Sequence, residues 1–320
     1  MIMKIGVVGS GAIGLYVGAR LQQAGHEVRF LLRRDYEAIR DSGLRVHSVR
    51  GDFHLDLVQG FRRPEEIGPV DLVLVALKTF DSHFLPDLVR PLLSQQTAIL
   101  TLQNGLGNEE LLADAFGPGR VLGGVAIIGA NRGEPGVVHH LALGSIRIGE
   151  FAAGRSPRCE RLAADFSAAG IPCEAVADLR AIRWEKLIWN IPFNGLCTLL
   201  NATPGALLAH PPTRALVIEL MTEVISGANA QGLAELIPVA EMVAAQLAKT
   251  EKHTADYRPS MMVDRIEGRA LELESIFRIP LQHAARRGVA MVRVGMLLAL
   301  LDQGEQGERG GQKPDRPEHR

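Results

Sequence analysis

Short runs of aliphatic and β-branched residues alternate with stretches of helical period through the first half of the chain. Residues 4–8 form one such run, a helical pattern follows to about Ala24, and residues 27–32, 71–77 and 99–102 repeat the theme. Apolar runs separated by helix-length segments predict a doubly wound parallel sheet of the Rossmann type, with helices as the crossovers. Residues 44–49 and 53–58 flank Arg50-Gly51-Asp52 and predict a hairpin insertion. Runs punctuated by glycine at 121–128, 137–142 and 145–149 predict further strands, antiparallel, with the sheet ending there.

Beyond about Ala168 the period becomes helical, carried by Ala, Leu, Glu and Arg and nearly unbroken across 179–301. The fold class is therefore α/β, with a second, all-helical C-terminal domain. The expected division is a dinucleotide-binding domain at 1–168, a helical substrate domain at 169–302 and a disordered tail at 303–320, where almost nothing can be buried.

Composition narrows the function classes. Among 320 residues, 35 Lys and Arg nearly cancel 36 Asp and Glu, so no global field draws the chain to nucleic acid or anionic lipid. No run approaches the roughly 20 apolar residues of a membrane span. Three cysteines, Cys159, Cys173 and Cys197, have neither disulfide-framework nor thiolate-metal spacing, and a reducing cytoplasm suits them. The histidines lack ligand spacing, so no metal is expected; adjacent His139 and His140 on a strand should face opposite ways, one buried and one exposed.

Gly9-Ser10-Gly11-Ala12-Ile13-Gly14 lies between the first strand and the first helix, the context that a dinucleotide fingerprint requires. Gly9 permits the tight turn, Gly11 the approach of a pyrophosphate, and Gly14 the packing of helix on strand. The second strand ends in Arg33-Arg34 instead of the acid that accepts from a ribose hydroxyl, which favours a 2′-phosphate and hence NADPH; Asp35, next in sequence, works against that assignment.

A second constellation lies at 184–201, an apolar helix with one polar stripe. At about 100° per residue, Lys186, Asn190, Asn194, Cys197 and Asn201 fall within an arc of roughly 80°. A solvated face would carry Glu, Lys and Arg, whereas this one is mostly Asn beside a lone Lys. Cys197 reads as a small buried hydrophobe, and Pro192 as the site of a kink. Lys186 needs a carboxylate to stay charged beside apolar walls, and Glu272 and Glu274 are the candidates.

These motifs, in this order, resemble the ketopantoate reductase family (2-dehydropantoate 2-reductases) over the chain up to about Leu301. The resemblance is carried by the glycine fingerprint with Arg33, by Leu77-Lys78, by Gln103-Asn104-Gly105-Leu106-Gly107-Asn108, by the Lys186, Asn190 and Asn194 helix, and by Ser260-Met261 followed by Glu272. It implies hydride transfer from NADPH to the 2-oxo carbon of ketopantoate, giving pantoate. Lys186 would be general acid to the oxo oxygen, and Glu272 would hold the substrate hydroxyl and orient Lys186. Asn190, Asn194 and Ser260 would bind substrate oxygens, Lys78 would sit at the cofactor, and Asn104 would bridge cofactor and substrate.

The family often shows Thr-Glu-Ile-Asp with a glycine soon after. Here the segment is Leu271-Glu272-Leu273-Glu274 with Ile276-Phe277 following, which removes a hydroxyl and adds bulk. Two other readings therefore stand beside the first: a related NAD(P)-dependent reductase of another 2-oxo acid or imine, and an NADPH-binding regulator without chemistry. The only partner expected is a small-molecule 2-oxo acid, with no nucleic acid and no membrane; the helical half carries apolar surface that could pair protomers as a homodimer.

Overall fold

The computed structural model describes residues 2–152 and 154–311. The chain divides into two compact units, Met1–Ile182 and Arg183–Arg320.

In the first unit, β1 (Lys4–Val8), α1 (Ala12–Gln23) and β2 (Glu27–Leu31) are followed by α2 (Tyr36–Ser42), β3 (Leu44–Ser48), β4 (Phe53–Leu55) and β5 (Gln59–Phe61). Next come α3 (Pro64–Ile67), β6 (Leu72–Val75), α4 (Leu85–Val89), β7 (Ala98–Thr101) and α5 (Asn108–Phe116). The unit ends with β8 (Val121–Arg132), β9 (Val137–Glu150), α6 (Pro157–Ala168), β10 (Cys173–Ala175) and the start of α7 (Leu179–Leu200).

Among the described residues these strands make one sheet, ordered β4-β3-β9-β8-β7-β6-β1-β2-β5, with β10 also paired to β9. From β5 through β8 every pairing is parallel. Alternation along the strands feeds two cores: Leu72 and Leu74 point into one, Val73 and Val75 into the other. Burial on both faces explains why β6 and β7 read as continuous apolar runs.

Three expectations change here. The sheet does not end at the β8–β9 pair, because β3 pairs in parallel with β9 at Val137–His140 and carries β4 antiparallel beyond it. The hairpin is thus the far edge of the sheet. The runs at 137–142 and 145–149 are a single strand, β9, bent where Leu143 and Gly144 take φ of 64° and 113°. The boundary falls at Ile182 and Arg183, not at Ala168, because β10 pairs with β9, and Ile171 and Ala175 share a core with Ile146 and Ile148.

The second unit continues α7 and adds α8 (Pro204–Ala209), α9 (Pro211–Asn229), α10 (Val239–His253) and α11 (Ser260–Ile266). A π-helical turn, Glu274–Arg278, then runs into α12 (Ile279–Arg286), and α13 (Val292–Gly311) follows. Helix α7 is continuous through Pro192, and Trp189 Nε1 donates to Thr250 Oγ1 of α10 at 3.0 Å. A Cβ on Gly195 would lie 2.5 Å from Leu297 Cδ2 and 3.3 Å from the Phe277 ring, so glycine is what lets α7 meet these side chains.

Helix α13 overturns part of the expected tail, since residues 303–311 are helical. Polar anchors supply what apolar burial does not: Arg278 pairs with Asp302, and Glu305 Oε1 accepts the Leu271 amide at 2.9 Å. Residues 312–320 of that tail lie outside the described residues. No helix among the described residues is long and apolar enough to cross a membrane.

Ile276 and Phe277 are fully buried, and Phe277 packs toward Gly195 and α13. Their bulk fills the helical core. Phe277→Ala is accordingly expected to destabilise the protein by about 3–5 kcal/mol, read as a lowered midpoint in urea unfolding.

Candidate active site

The residues expected at a nucleotide follow the carboxyl ends of parallel strands: the glycine loop after β1, Arg33 after β2, Lys78 after β6 and Asn104 after β7. Strand β1 lies between β2 and β6, where the strand order reverses, and such a switch point opens a crevice at the carboxyl edge. The loop fits a pyrophosphate on steric grounds. At Gly9, φ is 103° and a Cβ would lie 2.3 Å from the Leu77 nitrogen; at Gly14 it would lie 2.1 Å from the Gly9 carbonyl oxygen. At Gly11 a Cβ would meet nothing within 4 Å, projecting into open space at the N-cap of α1.

No side chain caps that helix, leaving its first amides to an anion. Ala12 and Ile13 form its first turn and pack partly against the core. Ser10 turns away, its hydroxyl donating to the Leu31 carbonyl at 2.8 Å, so it holds the loop to β2.

The two arginines after β2 separate in role. The Arg33 side chain is 69% exposed, with one long ion pair to Asp81 at 3.7 Å, and pairs of that kind contribute little. Arg34 instead donates to the Gly133 carbonyl at 3.1 Å. Asp35 does not stand at the surface as an acid in competition with Arg33: it is buried, paired to Arg132 and accepting the Gly136 amide at 3.2 Å.

Lys78 and Asn104 open the loops after two adjacent strands, and both are half-buried. Gln103 joins those loops: its Nε2 donates to Ser82 Oγ at 2.8 Å, and its Oε1 accepts from Thr101 at 3.1 Å. Asn108 Nδ2 holds the Asn104 carbonyl at 2.9 Å. Sequence reasoning quoted Gln103 and Asn108 as part of a motif but assigned them no task, because their partner groups lie in backbone and in another loop.

In the second unit, Lys186, Asn190 and Asn194 succeed one another at turn spacing on α7, and both asparagines are buried. Lys186 is half-buried, still reaching solvent. Its ammonium is held down to about 7: burial lowers it most, the Arg183 charge lowers it too, and Glu272 opposes both. The choice between the two carboxylates is thereby made. Glu272 is buried and acts on Lys186, whereas Glu274 is exposed and pairs with Arg278 at 3.3 Å.

Glu272 lies two residues before the π-helical turn, and Ile276 N donates to its carbonyl at 3.2 Å. Ser260 stands on a separate element as the half-buried first residue of α11, behind Pro259. Arg183 was not anticipated; it is buried three residues before Lys186, a spacing that puts it on the same side of the helix. Cys197 is fully buried and its thiol is pushed up to about 12 by burial, as befits a packing residue. His140 is buried and stacked on Tyr16 with ring centroids 4.4 Å apart, while His139 is half-buried against His47.

Comparison with known proteins matches both units to one family. Residues 5–153 match the family described as ketopantoate reductase PanE/ApbA, and residues 178–305 match its C-terminal counterpart. A 2-dehydropantoate 2-reductase of Nostoc sp. is 41% identical over 299 residues, covering 92% of each chain. One of Halobacterium salinarum is 30% identical over 308 residues, covering 93% of this chain and 98% of that protein. A crystal structure of 2-dehydropantoate 2-reductase from Geobacter metallireducens GS-15 superposes with a TM-score of 0.90 at 55% identity, over 94% of this chain and 99% of the other. With both of its units matched, the chain belongs to the ketopantoate reductase family of oxidoreductases.

Proposed function

We propose that the protein reduces ketopantoate to pantoate with NADPH. The observation that carries this reading is Lys186, an ammonium held near neutral pKa on a face with Asn190 and Asn194 and opposed by Glu272. When bound, the cofactor supplies the hydride to the 2-oxo carbon. Gly9, Gly11, Gly14 and the amides opening α1 would take its pyrophosphate, and Arg33 its 2′-phosphate, with Lys78 and Asn104 alongside.

Lys186 donates a hydrogen bond to the oxo oxygen and then its proton to the developing alkoxide. A pKa of about 7 suits a general acid, since the group is both substantially protonated and ready to release at neutral pH. Glu272, a carboxylate acting on that ammonium, orients it and accepts from the substrate hydroxyl. Asn190, Asn194 and Ser260 offer neutral hydrogen bonds to the substrate's carboxylate and hydroxyl oxygens.

A homodimer is the proposed assembly. Val292, Met296 and Leu300 are exposed at successive turn spacing on α13, whose opposite side buries Val294, Leu297 and Leu301.

Steady-state oxidation of NADPH with ketopantoate, beside NADH and a panel of 2-oxo acids, tests the substrate and the cofactor together. NADPH-specific turnover on ketopantoate is expected; faster turnover of another 2-oxo acid would transfer the reading to that substrate. Arg33→Ala is expected to weaken NADPH by about tenfold or more while sparing NADH, because a charge-assisted hydrogen bond to the phosphate is lost.

Lys186→Ala should lower the rate of reduction by on the order of 10²–10⁴ with NADPH affinity intact. Unchanged turnover would remove Lys186 from the chemistry. The acid form being the active one, kcat/KM for reduction should be level below about 7 and fall above it. Glu272→Gln removes the charge that raises Lys186, so the falling limb should move to lower pH; a shift to higher pH would contradict the pairing.

A further inference from the structure

The sheet buries an acid where an NAD-binding protein would display one. After β2, a carboxylate exposed at the ribose accepts from its hydroxyls and repels a 2′-phosphate. Asp35 follows Arg33 by two residues, at the N-cap of α2, close enough in sequence to reach the same crevice. Its side chain is only 3% exposed.

Two groups from a distant segment hold it there. Arg132, the last residue of β8, is ion-paired to Oδ2, and the Gly136 amide donates to Oδ1 at 3.2 Å. Gly136 lies just before β9 with φ of 80° and seats against α2, where a Cβ would lie 3.4 Å from Ala38 Cβ. Arg34 adds a third tie, to the Gly133 carbonyl at 3.1 Å. Arg33 has no such backbone tie among the described residues, and its side chain is 69% exposed.

Resting on the NADPH reading above, we propose that Arg132 is a specificity-determining positioning residue, which selects NADPH over NADH by withholding the Asp35 carboxylate from the 2′-phosphate site. Removing the partner of a buried carboxylate leaves an uncompensated charge, which is unfavourable where it stands. The carboxylate of a chain lacking Arg132 is driven outward to the nearest cations in its own segment, Arg33 and Arg34. There it neutralises Arg33 and faces the phosphate with like charge. NADH, carrying no 2′-phosphate, is weakened by neither effect, and its free ribose hydroxyls can donate to the displaced carboxylate.

The test is calorimetric titration of the purified full chain with NADPH and with NADH, giving dissociation constants without turnover. Arg132→Met is expected to weaken NADPH by on the order of tenfold, the effect of one like charge brought near the phosphate, while weakening NADH by no more than about twofold. Adding Asp35→Asn to that variant removes the displaced charge and should restore the NADPH preference. Equal losses for both cofactors in Arg132→Met, or a loss that persists in the double variant, would overturn the proposal in favour of a purely structural tie.

If Arg132→Met alone fails to fold by thermal unfolding, the double variant decides, having no buried charge to strand: retained preference supports the proposal and lost preference overturns it. Arg33→Ala run in parallel separates the two levels of inference. A wild-type chain without NADPH preference and indifferent to Arg33→Ala would sink the NADPH reading and this proposal with it, whereas an Arg33-dependent preference untouched by Arg132→Met would sink this proposal alone.

Discussion

Backbone meets backbone at the end of β1, and the first unit's site depends on that contact. Any side chain at Gly9 would overlap the Leu77 amide, and any at Gly14 would overlap the Gly9 carbonyl. With both positions bare, the chain turns sharply enough for α1 to start over the carboxyl edge of the sheet, its uncapped amides facing outward. The Leu77 that crowds Gly9 is followed by Lys78, so one steric constraint sets two parts of the site. The same edge carries Arg33 and Asn104 because parallel strands all end on one side, and Gln103 ties the loop after β7 to the loop after β6 by bonding to Ser82.

The second unit solves an electrostatic problem. An ammonium among apolar helices loses hydration, and burial is the largest influence on Lys186. Arg183 adds repulsion and Glu272 relieves part of it, and the balance leaves the group near 7. Neither a fully solvated lysine nor a tightly paired one would be suited to give up a proton at neutral pH. The carboxylate is delivered from a segment that starts a π-helical turn, a local irregularity frequent at functional sites. Leu271 and Leu273 on either side are buried, so the acid is fixed in place by its apolar neighbours.

Much of this was legible in one dimension. Alternation and period gave the parallel sheet and the helical half, since burial on two faces or one stripe must be written in the residues themselves. The glycine fingerprint and the Asn-rich stripe were legible for the same reason, as glycine and buried amide each answer a local demand. The family follows from the order of these motifs. What composition suggested for residues 303–311 failed, because Asp302 and Glu305 find partners at Arg278 and Leu271 that no local pattern announces. Strand β5, three residues long, was too short to show a period.

The sequence by itself determined which residue types could do chemistry and on which kind of element each would ride, because those properties depend on neighbours within a turn or a pleat. Only the tertiary structure decided among equivalents: Glu272 over Glu274 beside Lys186, Arg34 over Arg33 on the Gly133 carbonyl, Asp35 inward and not outward. Each of those choices is made by a group far along the chain, as with Arg132 meeting Asp35 across 97 positions. Charge and desolvation act through space, and their distances are set only when the chain has folded.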